Sequence, residues 1–257
     1  MGELDTFLDK NGGFTCGFNL QSGGNPFVSS PNDTGVIAWD EEPAALPDRI
    51  IDFSGYQWRV KQAENVRVGP GPNYFSDSTT NVWTDTEGVH LKLDFRDNRW
   101  FCAEVALTQS LGYGEYTFQV SSRLDALDYN TVFAGFVYES ADREFDMEFS
   151  RVLAEPQNAQ YVIQPYYHSG NLFRFQMPAE MFSSHRFIWR ADTILFMSWR
   201  GHGSEPTAST TISSWVYCGA DIPPPGAERM RFNLWLYQGN AAQTENEVIV
   251  KSFGFKP

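Results

Sequence analysis

The sequence predicts an all-β fold, and three observations carry that prediction. Short runs alternate apolar with polar side chains at the period of two that a half-buried strand requires. Gly, Pro, Asn and Asp separate these runs at a spacing typical of a sandwich. No segment sustains the period of an amphipathic helix. The chain has 257 residues and 42% hydrophobic content, enough to bury one large core. Neither an internal repeat nor a shift of composition divides it. It reads as a single domain over residues 1–257, two antiparallel sheets packed as a β-jelly-roll with one concave face left open.

Residues 1–48 are rich in Gly, Asn, Pro and Asp and read as mostly loops over the sheet edges, with one strand near 36–39. Asn32-Asp33-Thr34 matches a glycosylation acceptor, a tripeptide common by chance. From Ile50 onward the strand signals become regular. Strands are expected over 56–61, 89–93, 100–105, 113–120 and 131–138, with a Gly- and Pro-rich loop at 68–73. Residues 143–149 read as the next strand. After it come 160–167, 171–176, 185–190, 194–199, 213–217, 230–237 and 248–255. Pro223-Pro224-Pro225-Gly226 is a connector of polyproline character.

A net charge of −13 without a basic cluster argues against nucleic acid and anionic membranes, both of which need concentrated Lys and Arg. It also disfavours sulfated or uronic polysaccharides and leaves neutral ones open. Aromatic residues make up 16% of the chain, enough for both a core and an aromatic-lined groove. Cys16, Cys102 and Cys218 are too few and scattered for a disulfide scaffold or a zinc site. One bridge plus a free thiol, or three thiols, both fit. No apolar run reaches transmembrane length, and Met1-Gly2-Glu3-Leu4-Asp5 is not a signal peptide.

The chemistry concentrates in Arg143-Glu144-Phe145-Asp146-Met147-Glu148-Phe149. On a strand, Phe145, Met147 and Phe149 share a core face while Glu144, Asp146 and Glu148 share the other. Such a row is costly, because like charges raise one another's pKa. Residues i and i+4 lie about 13 Å apart at Cα. Side chains leaning together leave their carboxyls about 5–6 Å apart, near the separation of a retaining glycosidase pair. A plain solvated face and an oxygen cage for a hard cation such as Ca²⁺ are the competing readings.

Glu144-Phe145-Asp146-Met147-Glu148 resembles the active-site strand of glycoside hydrolase family 16, the β-jelly-roll laminarinases, lichenases and xyloglucan-active enzymes. Its five-residue form is similar to the lichenase and xyloglucan branch, whereas laminarinases usually carry six residues. Tyr113-Gly114-Glu115-Tyr116 resembles the family's Y-G-x-Y opening. His185-Arg186-Phe187-Ile188-Trp189-Arg190-Ala191-Asp192 resembles its H-x-F-x-W-x-x-D segment, and Asn233-Leu234-Trp235 its N-L-W strand. The likeness covers roughly residues 50 to 257.

The resemblance implies a concanavalin A-like sandwich and a retaining endo-glycoside hydrolase. Its substrate would be a neutral β-linked polysaccharide, a 1,3- or mixed 1,3-1,4-linked β-glucan. Glu144 would be the nucleophile, Glu148 the acid/base, and Asp146 the residue that positions Glu144. Phe136 and Tyr138 match positions that stack on sugar rings; core packing is the bland alternative for Phe136 and an isolated surface ring for Tyr138. Asn233 and Trp235 border the family's cleft, and strand parity puts both toward cleft or solvent. Gln119, Gln164 and Tyr166 are further candidate sugar contacts, while His168 and His185 read as exposed or structural. No cofactor is required. A structural calcium occurs in some members on the sheet side away from the cleft, but no ligand cluster stands out here. The expected partner is the polysaccharide or oligosaccharide alone, met by a monomer outside the cell or in the periplasm. Transglycosylation would use the same residues, and a lectin-like binding module is the rival from another class. Ala141-Asp142-Arg143 departs from the Trp-containing approach of lichenases, and the loop there is short.

Overall fold

The computed structural model describes residues 49–153 and 155–257. The strand expected at 36–39, the glycosylation tripeptide and Cys16 lie outside them. The strands, in chain order, begin with β1 Ile50–Phe53, β2 Tyr56–Val60, β3 Ala63–Val68, β4 Asn73–Phe75, β5 Val82–Asp85 and β6 Gly88–Lys92. They continue with β7 Asp94–Arg96, β8 Arg99–Leu107, β9 Gly114–Val120, β10 Thr131–Ser140, β11 Arg143–Ser150 and β12 Ala159–Ile163. The last are β13 Leu172–Phe175, β14 Ser183–Trp189, β15 Ile194–Arg200, β16 Thr211–Tyr217, β17 Arg229–Leu236 and β18 Glu247–Lys256. Helix among the described residues amounts to 3-10 turns at Leu124–Ala126 and Tyr237–Gly239.

These strands build the jelly-roll sandwich. One sheet runs β1-β2-β8-β17-β10-β11-β12-β13, with β3, β4 and β7 joined to its β8 side. The other runs β16-β15-β14-β9-β18-β6-β5. Alternation drives the packing, because each strand turns one apolar edge inward. Phe145 of β11 meets Phe187 of β14 at 5.3 Å, and Phe118 of β9 meets Phe232 of β17 at 5.1 Å. Gly135 of β10 lies beneath Phe118, and a Cβ there would stand 2.7 Å from the ring. That close approach is why the position lacks a side chain.

His185 is structural, as expected. It is fully buried between the sheets, bonded to Ser183 Oγ (2.9 Å) and Ser198 Oγ (2.8 Å). Burial pushes its pKa down to about 3. His168 is exposed and pairs with Asp221.

Several expected boundaries move. Strands β1, β3, β4, β5 and β7 add to the prediction; all but β3 have only three or four residues, too few to show a period. β7 exists through a hairpin turn in which Asp97 and Asn98 take φ of 50° and 60°, the left-handed pair that a two-residue β-turn needs. Asn73, assigned to a loop, opens β4. The run 160–167 stops at Ile163, because Pro165 has no N–H to continue the ladder.

Candidate active site

β11 sorts its residues as its alternation requires. Phe145, Met147 and Phe149 are fully buried in the inter-sheet core, so Glu144, Asp146 and Glu148 project from the sheet's other face. Directly opposed residues on antiparallel strands share a face, and register therefore lays the site out in rows. The first row reads Glu104, Asn233, Ala134, Glu148, Gln160 and Arg174 across β8, β17, β10, β11, β12 and β13. The second contains Arg231, Phe136, Asp146 and Val162. The third runs Arg229, Tyr138 and Glu144 across β17, β10 and β11. Ala134, Phe136 and Tyr138 form an apolar cluster of their own, separate from the inter-sheet core.

Each carboxylate has a distinct environment. Glu148 Oε2 accepts a 2.6 Å hydrogen bond from Gln160 Nε2, and Gln160 Oε1 accepts from Arg174 Nε at 3.2 Å. Burial pushes Glu144 up to about 8; a hydrogen bond with Asp146 pulls it down and the charge of Glu148 pushes it up. Asp146 is held well above the usual carboxylate range, first by burial and then by the charge of Glu144 and the bond to it. That bond lowers Glu144 and raises Asp146, and both carboxyls stand above their ordinary range, so the two titrate as a pair that retains a proton above the usual carboxylate range. Gln164 supports the pair: its side chain bonds Asp146, and its backbone N donates to Glu144 O at 3.0 Å.

Most predicted contacts converge here. Phe136, Tyr138, Asn233 and Gln164 all lie on or beside the acidic face. The separate cluster puts Phe136 on the acidic face of the sheet rather than in the inter-sheet core, 2% exposed. Tyr166 is half-buried in the loop after β12, edge-on to Tyr167 at 5.6 Å. Trp235 shares the face of Asn233 but is 2% exposed. The loop carrying Gly71 lies against it, 3.4 Å from the Cβ position to Trp235 Cζ3.

Gln119 is a correction. It belongs to β9 in the second sheet, where Phe118 and Val120 turn inward and Gln119 faces outward. Its Nε2 donates to His202 O at 2.8 Å, and its Oε1 accepts from Ser252 Oγ at 2.9 Å. The alternation of its strand was readable, but the sheet to which that strand belongs is a property of topology.

Residues outside the prediction complete the face. Glu104 is 1% exposed and lies 3.1 Å from Arg231 and 3.6 Å from Lys61 Nζ. A lone acid within the apolar run of β8 was the available signal. Asp146 Oδ2 and Asn233 Oδ1 are buried without a hydrogen-bond partner among the described residues. No trio of His, Cys, Asp or Glu among those residues forms a metal cage, and no described helix is long and apolar enough to cross a membrane. Cys102 is a buried free thiol, and Cys218 is disulfide-bonded.

No family model matches the chain, and no curated protein matches it in sequence. Solved structures do match in fold. A Bacillus licheniformis β-glucanase superposes with a TM-score of 0.59 at 16% identity, over 78% of this chain and 92% of that one. A prokaryotic β-1,3-1,4-glucanase (lichenase) from a mouse hindgut metagenome gives 0.58 at 16% identity, over 78% and 92%. A laminarinase from Flavobacterium sp. UMI-01 gives 0.58 at 8% identity, over 78% and 93%. At these identities the likeness is one of fold.

Proposed function

We propose that this protein is a retaining endo-glycoside hydrolase of the family 16 type, acting on a neutral β-linked polysaccharide. The observation that carries the reading is the carboxylate row on the sheet face turned away from the core. One member is hydrogen-bonded to Asp146 and another is held by an amide. In this scheme Glu144 attacks the anomeric carbon while Glu148 protonates the departing glycosidic oxygen. Glu148, now a carboxylate, then takes a proton from water, whose oxygen displaces Glu144 and releases the sugar with its original anomeric configuration. Asp146 keeps its proton and holds Glu144 as the attacking anion.

The substrate class rests on the fold neighbours and on the groups beside the acids. The fold neighbours are named β-glucanases and laminarinase, which favours a 1,3- or mixed 1,3-1,4-linked β-glucan. Tyr138 and Phe136 pack beside the acids at 5% and 2% exposure, and the buried Asn233 and Asp146 oxygens have hydrogen-bonding capacity for sugar hydroxyls. The Cys218 disulfide supports action outside the cytosol.

The test is reducing-end release from mixed-linkage glucan, β-1,3-glucan, xyloglucan and β-galactan, with wild type and Glu144→Gln in parallel. Release by wild type alone, with the anomeric configuration retained by NMR, is expected. Retention of glycan on affinity gels without release by either protein would replace the enzyme with a binding module.

A further inference from the structure

Arg231 sits on β17 between Met230 and Phe232, both buried inward, so its side chain joins the acidic face. Its guanidinium carbon lies 4.8 Å from the Tyr138 ring centroid, and its Nη1 lies 3.1 Å from Glu104 Oε1. A planar cation gripped by a ring and a carboxylate has little freedom to turn. Tyr138 in turn stands opposite Glu144. Glu104 does not cancel this charge, because it is shared with Lys61, whose Nζ also bonds Gly69 O at 2.7 Å. The face therefore alternates in sign: Lys61 positive, Glu104 negative, Arg231 positive, Glu144 negative.

We infer that Arg231 is a positioning residue of this cleft, a fixed cation that keeps Glu144 in the carboxylate form that attacks. This inference rests on Glu144 being the nucleophile. Other groups face Glu144 as well. Its own strand supplies Asp146 and Glu148, β10 supplies Tyr138, β8 supplies Glu104, and Gln164 beyond β12 is uncharged. Arg229, on the same face of β17, bonds the carbonyls of Ala227 and Glu228 at 2.7 and 2.8 Å. Arg143 pairs with Glu139 at 2.8 Å, and Arg174 lies in the row of Glu148. Among the described charges, Arg231 is the one that lowers the pKa of Glu144, whereas Glu148 and Glu104 raise it.

Two substitutions must then act in opposite directions. Removing the cation with Arg231→Met should move the acid limb of kcat/KM, where the Glu144–Asp146 pair takes up a second proton, to higher pH. The shift should be about half a unit to one unit, less than for an opposite charge in direct contact. Arg231→Lys should recover part of it. Removing the opposing anion with Glu104→Gln should move the limb to lower pH. A purely structural role for Arg231 predicts activity loss with both limbs in place. The same variants are titrated by NMR with ¹³C-labelled glutamate, following Glu144 without reference to activity. Inactivity of wild type on every glycan would remove the enzyme reading, yet this titration still decides the electrostatic one. An unmoved Glu144 titration in both Arg231→Met and Glu104→Gln overturns the inference, and opposite shifts establish it.

Discussion

Gln160 and Glu148 stand opposite each other on β12 and β11, joined by a 2.6 Å hydrogen bond from Nε2 to Oε2. An amide does not titrate in this range, so it fixes one oxygen of Glu148 in either protonation state. In the proposed scheme the other oxygen is the one that gives and recovers the proton. Arg174 donates to Gln160 Oε1, and that contact orients the amide with its nitrogen toward Glu148. Gln160→Leu should therefore lower kcat about tenfold or more with little change in KM, because alignment of the proton donor is lost while sugar contacts remain. Steady-state kinetics on the best glycan of the panel check this. An unchanged kcat would show that Glu148 needs no such guide.

The carboxylate row should separate into two tiers. Glu144→Gln and Glu148→Gln should each lose roughly a thousandfold or more in turnover, whereas Asp146→Asn should lose less than either. Circular dichroism should show the fold intact in all three. A loss below about tenfold in both glutamate variants would contradict the roles given to them.

Stability should carry the signature of the same pair. Burial pushes Glu144 from 4.5 up to about 8, so the folded pair holds a proton that the unfolded chain has released. Stability therefore falls as pH rises through that window. Glu144→Gln removes the ionisation and should raise the Tm at pH 7.5 by several degrees, at about 2–4 °C per kcal/mol for a chain of this size. At pH 4 the gain should vanish. Calorimetry at the two pH values decides it, and a mutant no more stable than wild type at pH 7.5 would show that burial of Glu144 costs the fold nothing.

How much of this was legible in the sequence follows from the range of each interaction. The alternation in β11 fixed which face is acidic, because a strand's period is a local property. Phe136, Tyr138 and Asn233 follow from the family resemblance, with strand parity supporting Asn233. Gln119 shows its limit: parity on β9 was visible, but pairing with β14 and β18 placed that face on the far side of the sandwich. Arg231 and Glu104 are 127 positions apart, and nothing near either residue announces the other. Gln160 lay within an expected strand, yet its role depends on the register that sets it against Glu148.

Gly135 offers a test of packing. A methyl there would stand 2.7 Å from Phe118, a ring wedged against His185 at 4.9 Å and Phe232 at 5.1 Å. Gly135→Ala should destabilise the protein by about 1–3 kcal/mol through overpacking. Urea denaturation measures it, and a loss under about 0.5 kcal/mol would mean that the sheets can part to make room.

Cys102 is fully buried, and burial pushes its thiol up to about 12. An aromatic disulfide reagent at pH 8 should leave it unlabelled in the native protein and react once the chain is unfolded. Prompt labelling in native buffer would indicate frequent opening of the sheet around β8.

The rows that make the site also set when it can first exist. Glu104 and Asn233 are neighbours on the cleft face although 129 residues separate them in sequence. Strand β17 must therefore insert between β8 and β10 before the face is continuous. Contacts of such sequence separation close late, because their loop entropy is met only once much of the chain is in place. A nascent chain released before β17 would hold Glu144, Asp146 and Glu148 on a strand with no cleft beside it. Activity should thus return on refolding only with the slowest spectroscopic phase, which makes catalysis a late reporter of sheet closure.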